Sequence, residues 1–158
     1  MRFGANLSRL IFGEWQIRAG FAAQLTDAAL IAGEQFGLGG AESVRGFDER
    51  QFSSDRGHRS SVELYTPDVA GKLGWTGGRM RLLTFYDTGT VSRNIPQPGE
   101  QDGLSLDSIG LGLRVQAGKN ASAKLDFARV LHDGGITAGK PDGRRGSSTL
   151  HGSLLLVF

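Results

Sequence analysis

Ser108-Ile109-Gly110-Leu111-Gly112-Leu113-Arg114-Val115-Gln116-Ala117 alternates without a break, with Ile109, Leu111, Leu113, Val115 and Ala117 in one row and Ser108, Gly110, Gly112, Arg114 and Gln116 in the other. A period of two puts successive side chains on opposite faces of a β-strand, so this stretch has one apolar face and one small, polar face. The same pattern recurs on either side. Trp15, Ile17, Ala19, Phe21, Ala23 and Leu25 oppose Gln16, Arg18, Gly20, Ala22 and Gln24, and Phe3, Ala5 and Leu7 oppose Gly4, Asn6 and Ser8. Val62 and Leu64 alternate with Arg59, Ser61, Glu63 and Tyr65; Met80, Leu82, Thr84 and Tyr86 with Arg81, Leu83, Phe85 and Asp87. Leu125 and Phe127 stand opposite Lys124 and Asp126, and Leu150, Gly152, Leu154, Leu156 and Phe158 share the last row. Seven strand candidates result, and the fold class is all-β.

Composition narrows the class further. Glycine supplies 25 of 158 residues without a collagen-like period, proline only 4, and cysteine none, which suits many turns and close strand packing and excludes disulfide and Cys-zinc frameworks. The formal charge of +2 comes from interleaved acids and bases, so no nucleic-acid partner is expected. No run of about 18 apolar residues could form a spanning helix, but a membrane-spanning strand needs only about 9 to 11 residues, every second one apolar. Arg18 lies opposite an apolar row, and an arginine facing lipid at the midplane would cost about 2–4 kcal/mol, so the polar rows point into a wet interior. Connections run long (33–57), medium (67–79), long (93–107), short (118–121) and long (132–148), the asymmetry of outer-membrane barrels. Parity puts the first of these on the outer side. Seven strands cannot close an up-and-down barrel, so the chain is expected to be the C-terminal portion of an antiparallel transmembrane β-barrel, truncated from a longer protein.

Catalytic patterns are missing. His58, His132 and His151 lack metal-ligand spacing and read as solvated polar residues, no serine sits in a nucleophile elbow, and in Gly37-Leu38-Gly39-Gly40 the third glycine is misplaced for a dinucleotide loop and no helix follows. No enzyme activity, cofactor or metal is expected. The charged connection over 33–58, with Val44-Arg45-Gly46-Phe47 near its middle, is a different matter. Arg45 could be a plain surface residue. It could equally be an anchor, because Glu63 and Asp87 face inward on the next two strands and a guanidinium fork suits carboxylates. Gly46 would then turn the tip and Phe47 wedge it.

Gly40 with Ser43-Val44-Arg45-Gly46-Phe47, Asp55-Arg56-Gly57, Glu63-Leu64, Thr66-Pro67-Asp68, Phe85-Tyr86-Asp87-Thr88-Gly89, Gly110-Leu111-Gly112-Leu113-Arg114, Leu125-Asp126-Phe127-Ala128 and the terminal stretch from His151 to Phe158 resemble, in order and roughly in spacing, the C-terminal barrel of two-partner secretion transporters of the ShlB/FhaC/HecB type. The resemblance implies a sixteen-stranded barrel in the Gram-negative outer membrane, preceded by periplasmic POTRA domains. It implies a loop over 33–58 folded into the pore, its Arg45 paired with Asp87 of the strand motif that runs from Phe85 to Gly89. Glu63 matches an acid serving the same arginine in the wider superfamily. Implied partners are a secreted TpsA-type adhesin or haemolysin-like protein, outer-membrane lipid and lipopolysaccharide, and the barrel assembly machinery, which would read Leu154, Leu156 and Phe158 as a terminal signal. Two other readings compete: a barrel assembly factor of the same superfamily, and a soluble β-sandwich binding module.

Overall fold

The computed structural model describes residues 1–98, 101–135 and 143–157. Nine strands occur in chain order: β1 (Arg2–Leu10), β2 (Gln16–Gln24), β3 (Phe36–Leu38), β4 (Phe52–Ser54), β5 (Arg56–Tyr65), β6 (Gly78–Ser92), β7 (Gly103–Ala117), β8 (Ala121–His132) and β9 (Ser148–Leu156). Seven form one antiparallel sheet in the order β1-β2-β5-β6-β7-β8-β9, while β3 and β4 pair as a small separate hairpin. All seven predicted strands are therefore present as sequential neighbours. The connections β1–β2, β5–β6 and β7–β8 lie at one end of the sheet, and the β2–β5, β6–β7 and β8–β9 connections at the other.

Register fixes the two faces. Arg18 stands opposite Glu63, Ser61 opposite Asp87, Asp87 opposite Ser108, and Gly112 opposite Asp126, so the polar rows of successive strands share one face. The other face presents Leu7, Phe21, Val62, Leu82, Ile109, Leu111, Phe127, Leu150 and Leu154, all exposed. Burial of apolar side chains normally drives such rows inward, so a continuous exposed apolar face on a sheet marks a surface that meets something other than water.

The long β2–β5 connection folds over the polar face. Val44, Phe47 and Leu38 from it form a buried cluster with Val91, Leu106 and Val130 of the sheet, flanked by Phe36, Phe52 and Leu104. Each such side chain contributes about 1.5–3 kcal/mol when fully buried. The inner face thus has two levels, an apolar one towards the long-loop end and a polar one below it.

This arrangement moves two expected boundaries. β7 begins at Gly103, so the expected connection over 93–107 ends five residues early. Leu104 and Leu106 point inward there, because the loop supplies an apolar partner, and the alternation inverts from the pattern below Ser108. Likewise the stretch 33–58 is not all irregular: the β3–β4 hairpin lies inside it, and β5 starts at Arg56. Between β1 and β2 runs a single 3-10 turn, Phe12–Glu14. Phe158 lies outside the described residues.

Candidate functional site: the loop arginine and its carboxylates

Arg45 hangs from the loop onto the polar face. Its Nε donates to Asp87 Oδ2 at 2.7 Å and its Nη2 to Asp87 Oδ1 at 2.8 Å, a bidentate fork on one carboxylate. Nη1 donates to Glu63 Oε1 at 2.8 Å, and Nη2 also reaches Ser61 Oγ at 3.2 Å. The backbone N–H of Arg45 donates to Asp87 Oδ2 at 3.2 Å, so main chain and side chain converge on the same acid. Asp126 Oδ2 stands 3.7 Å from Nη1. The guanidinium carbon lies 3.5 Å from the centroid of the Phe85 ring, close enough for a cation–π contact worth about 2 kcal/mol when desolvated. The structure therefore brings together Arg45, Asp87, Glu63 and Phe85.

Burial is uneven, and that matters. The Arg45 side chain is 5 % exposed and Asp87 0 %, whereas Glu63 is 18 % exposed. Desolvation alone would lower the Arg45 pKa; the hydrogen bonds and charge of Asp87, then the charges of Glu63 and Asp126, outweigh it and drive the value up. The guanidinium is charged at any attainable pH.

The loop tip is shaped to bring Arg45 down. Gly46 has φ of +99°, and a Cβ there would lie 3.1 Å from Val130 Cγ2, so both backbone and space call for glycine. Its N–H donates to His151 Nε2 at 3.1 Å and its C=O accepts from Thr149 Oγ1 at 3.1 Å. Gly89 fits the loop for a different reason: a Cβ on it would come within 2.3 Å of Leu38 Cδ1, so the bare β6 backbone provides the seat for the hairpin. At the mouth, Asp55 accepts from the N–H groups of Leu30 at 2.8 Å and Asn94 at 3.0 Å. Those bonds, the Asn94 one foremost, hold its carboxyl below the usual range.

Several participants escaped sequence reasoning. Asp126 takes both Nη1 and Nη2 of Arg114, at 2.7 and 2.9 Å, besides its approach to Arg45, and Tyr65 OH donates to Glu63 Oε2 at 2.9 Å. Row parity pointed to both, since each is inward on its strand, but nothing local separated them from other lumen residues. His151, read as a solvated polar residue, is half-buried against the loop tip instead, because β9 places it opposite Asp126. Leu154 and Leu156 lie exposed on the apolar face, away from the cluster. Beneath the loop runs a groove of about 1070 Å³ lined by Arg18, Arg59, Arg81, Arg114 and Lys124 as well as Glu63 and Asp126. Among the described residues no group of His, Cys, Asp and Glu could hold a metal ion.

A sequence model of the haemolysin secretion/activation protein ShlB/FhaC/HecB family matches residues 2–115, about seven tenths of the chain. The match contains Arg45, Glu63, Phe85 and Asp87 and stops within β7, short of β8 and β9. No curated protein and no solved structure matches.

Proposed function

The chain belongs to the ShlB/FhaC/HecB haemolysin secretion/activation family, a family of outer-membrane β-barrel transporters of two-partner secretion, and on that footing we propose that it forms part of a translocator exporting a partner adhesin or haemolysin-like protein. One observation carries the reading: a loop that could have stayed at the mouth is drawn onto the inner wall and tied there through Arg45 to Asp87 and Glu63. The loop is then a pore element, and Val44, Arg45, Gly46 and Phe47 are its working tip.

Other features support it. An unfolded polypeptide in transit carries unpaired peptide groups that must stay hydrated, and the wet groove below the loop, with its guanidinium and carboxylate lining, suits such a chain. The exposed apolar rows fit lipid and the acyl region of lipopolysaccharide. Leu154, Leu156 and Phe158 would present the last strand to the barrel assembly machinery. Export proceeds without a cofactor or nucleotide in this reading.

The test is co-expression of the full-length transporter with its secreted partner. Arg45→Ala and Asp87→Ala should each lower the partner in the medium at least several-fold, with heat-modifiable gel migration, the mark of an assembled barrel, retained. Wild-type secretion by both variants overturns the proposal.

A further inference from the structure

From the two bonds made by Gly46 we infer that Thr149 and His151 form a latch on the loop tip, and that protonation of His151 opens half of it. The latch deepens the reading of the loop as a pore element and rests on that reading for its bearing on export. Its geometry does not. A backbone N–H can only donate, so His151 Nε2, 3.1 Å from Gly46 N, is an acceptor and the imidazole is neutral with its proton on Nδ1. An imidazolium has donors on both nitrogens and would set an N–H against the N–H of Gly46. The Thr149 hydroxyl, donating to Gly46 C=O, does not titrate and holds the other half. Both residues face inward from β9, with Thr149 opposite Ala128 and His151 opposite Asp126.

The position is one where loss of the bond would be felt. Gly46 adjoins Arg45, and its tight seat against Val130 leaves little slack for the N–H to find water without moving the tip. Asp126 on β8 stands opposite His151, and Glu42 and Arg45 on the loop, Lys124 on β8 and Arg114 on β7 line the same groove. Histidine is the side chain whose charge ordinarily changes between about pH 5 and 8. Thr149 and His151 act through the loop and are positioning residues.

Amide hydrogen exchange of the full-length protein in detergent or native membranes reads the latch directly. In the wild type, protection of the Gly46 amide, corrected for the intrinsic rate, should fall at least tenfold between pH 7.5 and pH 5.5. The Arg50 amide, bonded to Gly39 O at the far side of the loop, should change much less. His151→Gln, which keeps a neutral acceptor, should hold protection at both pH values; His151→Ala should lose it at both. Thr149→Val should weaken protection while keeping the pH response. Unchanged wild-type protection across the two pH values overturns the inference, as does a fall in His151→Gln that parallels the wild type. If exchange behaves as expected while export ignores both variants, the latch stands and the role of the loop in export is what fails.

Discussion

Arg45 and Asp87 should be energetically coupled far beyond what a surface ion pair shows. In Arg45→Ala, Asp87 stays fully buried with only the Ser61 hydroxyl, 2.6 Å from Oδ1, and the Arg45 backbone N–H to solvate it. Stripping one partner from a buried pair costs about 3–5 kcal/mol, and those two remaining donors put this case at the lower end, near 3 kcal/mol. In Asp87→Ala the arginine keeps Glu63 at 2.8 Å and Asp126 at 3.7 Å, so the cost is smaller, about 2 kcal/mol. The double variant strands neither charge, and its cost should fall about 2 kcal/mol short of the sum. Val44, Phe47 and Leu38 keep the loop docked in all three, since each contributes about 1.5–3 kcal/mol. The assay is exchange of the Gly46 amide, which adjoins Arg45 and bonds to His151, as a measure of loop-tip opening. Arg45→Ala should raise the opening constant roughly 100-fold, in keeping with about 1.4 kcal/mol per tenfold. Additivity of the two single variants within about 0.5 kcal/mol would refute the claim that this pair ties down the loop.

Further outcomes follow from single contacts. Gly46→Ala should destabilise the docked loop by about 1–2 kcal/mol, because the residue must hold a positive φ beside Val130; equal exchange protection in variant and wild type counts against that. Ser108→Ala should be neutral or stabilising in thermal unfolding, since the Ser108 hydroxyl is buried with no hydrogen-bond partner among the described residues, and a loss above about 1 kcal/mol would reveal a partner. Asp55, whose carboxyl is depressed in the folded protein, contributes stability that is complete above the ordinary carboxyl value of about 3.9 and is lost as pH falls below it towards the depressed folded value. Protection of the Leu30 and Asn94 amides, corrected for the intrinsic rate, should therefore fall below about pH 4 in the wild type and be low at neutral pH in Asp55→Ala.

Strand rows were readable because period two leaves little freedom: once Leu111 faces one way, Arg114 faces the other. The same parity delivered Glu63 and Asp87 as inward acids on neighbouring strands. It could not tell where β7 starts, since Leu104 and Leu106 invert the apolar row, and the reason for the inversion, the loop packed on them, is a tertiary fact. The β3–β4 hairpin was hidden for a related reason, its three-residue strands being too short to carry a pattern. His151 shows the limit most clearly. Only the β8–β9 register, set across a connection from Asp133 to Ser147, brings it to the loop tip, and nothing in its neighbours along the chain marks it.

Sequence separation divides the contacts of the loop tip into early and late. Arg45 lies 18 residues from Glu63 and 42 from Asp87, whereas Gly46 lies 103 residues from Thr149 and 105 from His151. Bringing distant segments together carries a larger loop-closure cost and slows their meeting. The arginine can engage once β5 and β6 have paired, but the tip stays unfastened until β9 joins the sheet. During biogenesis the loop should thus pass through a tethered yet mobile stage, and the arrival of β9 is the event that turns a flexible attachment into a fixed one.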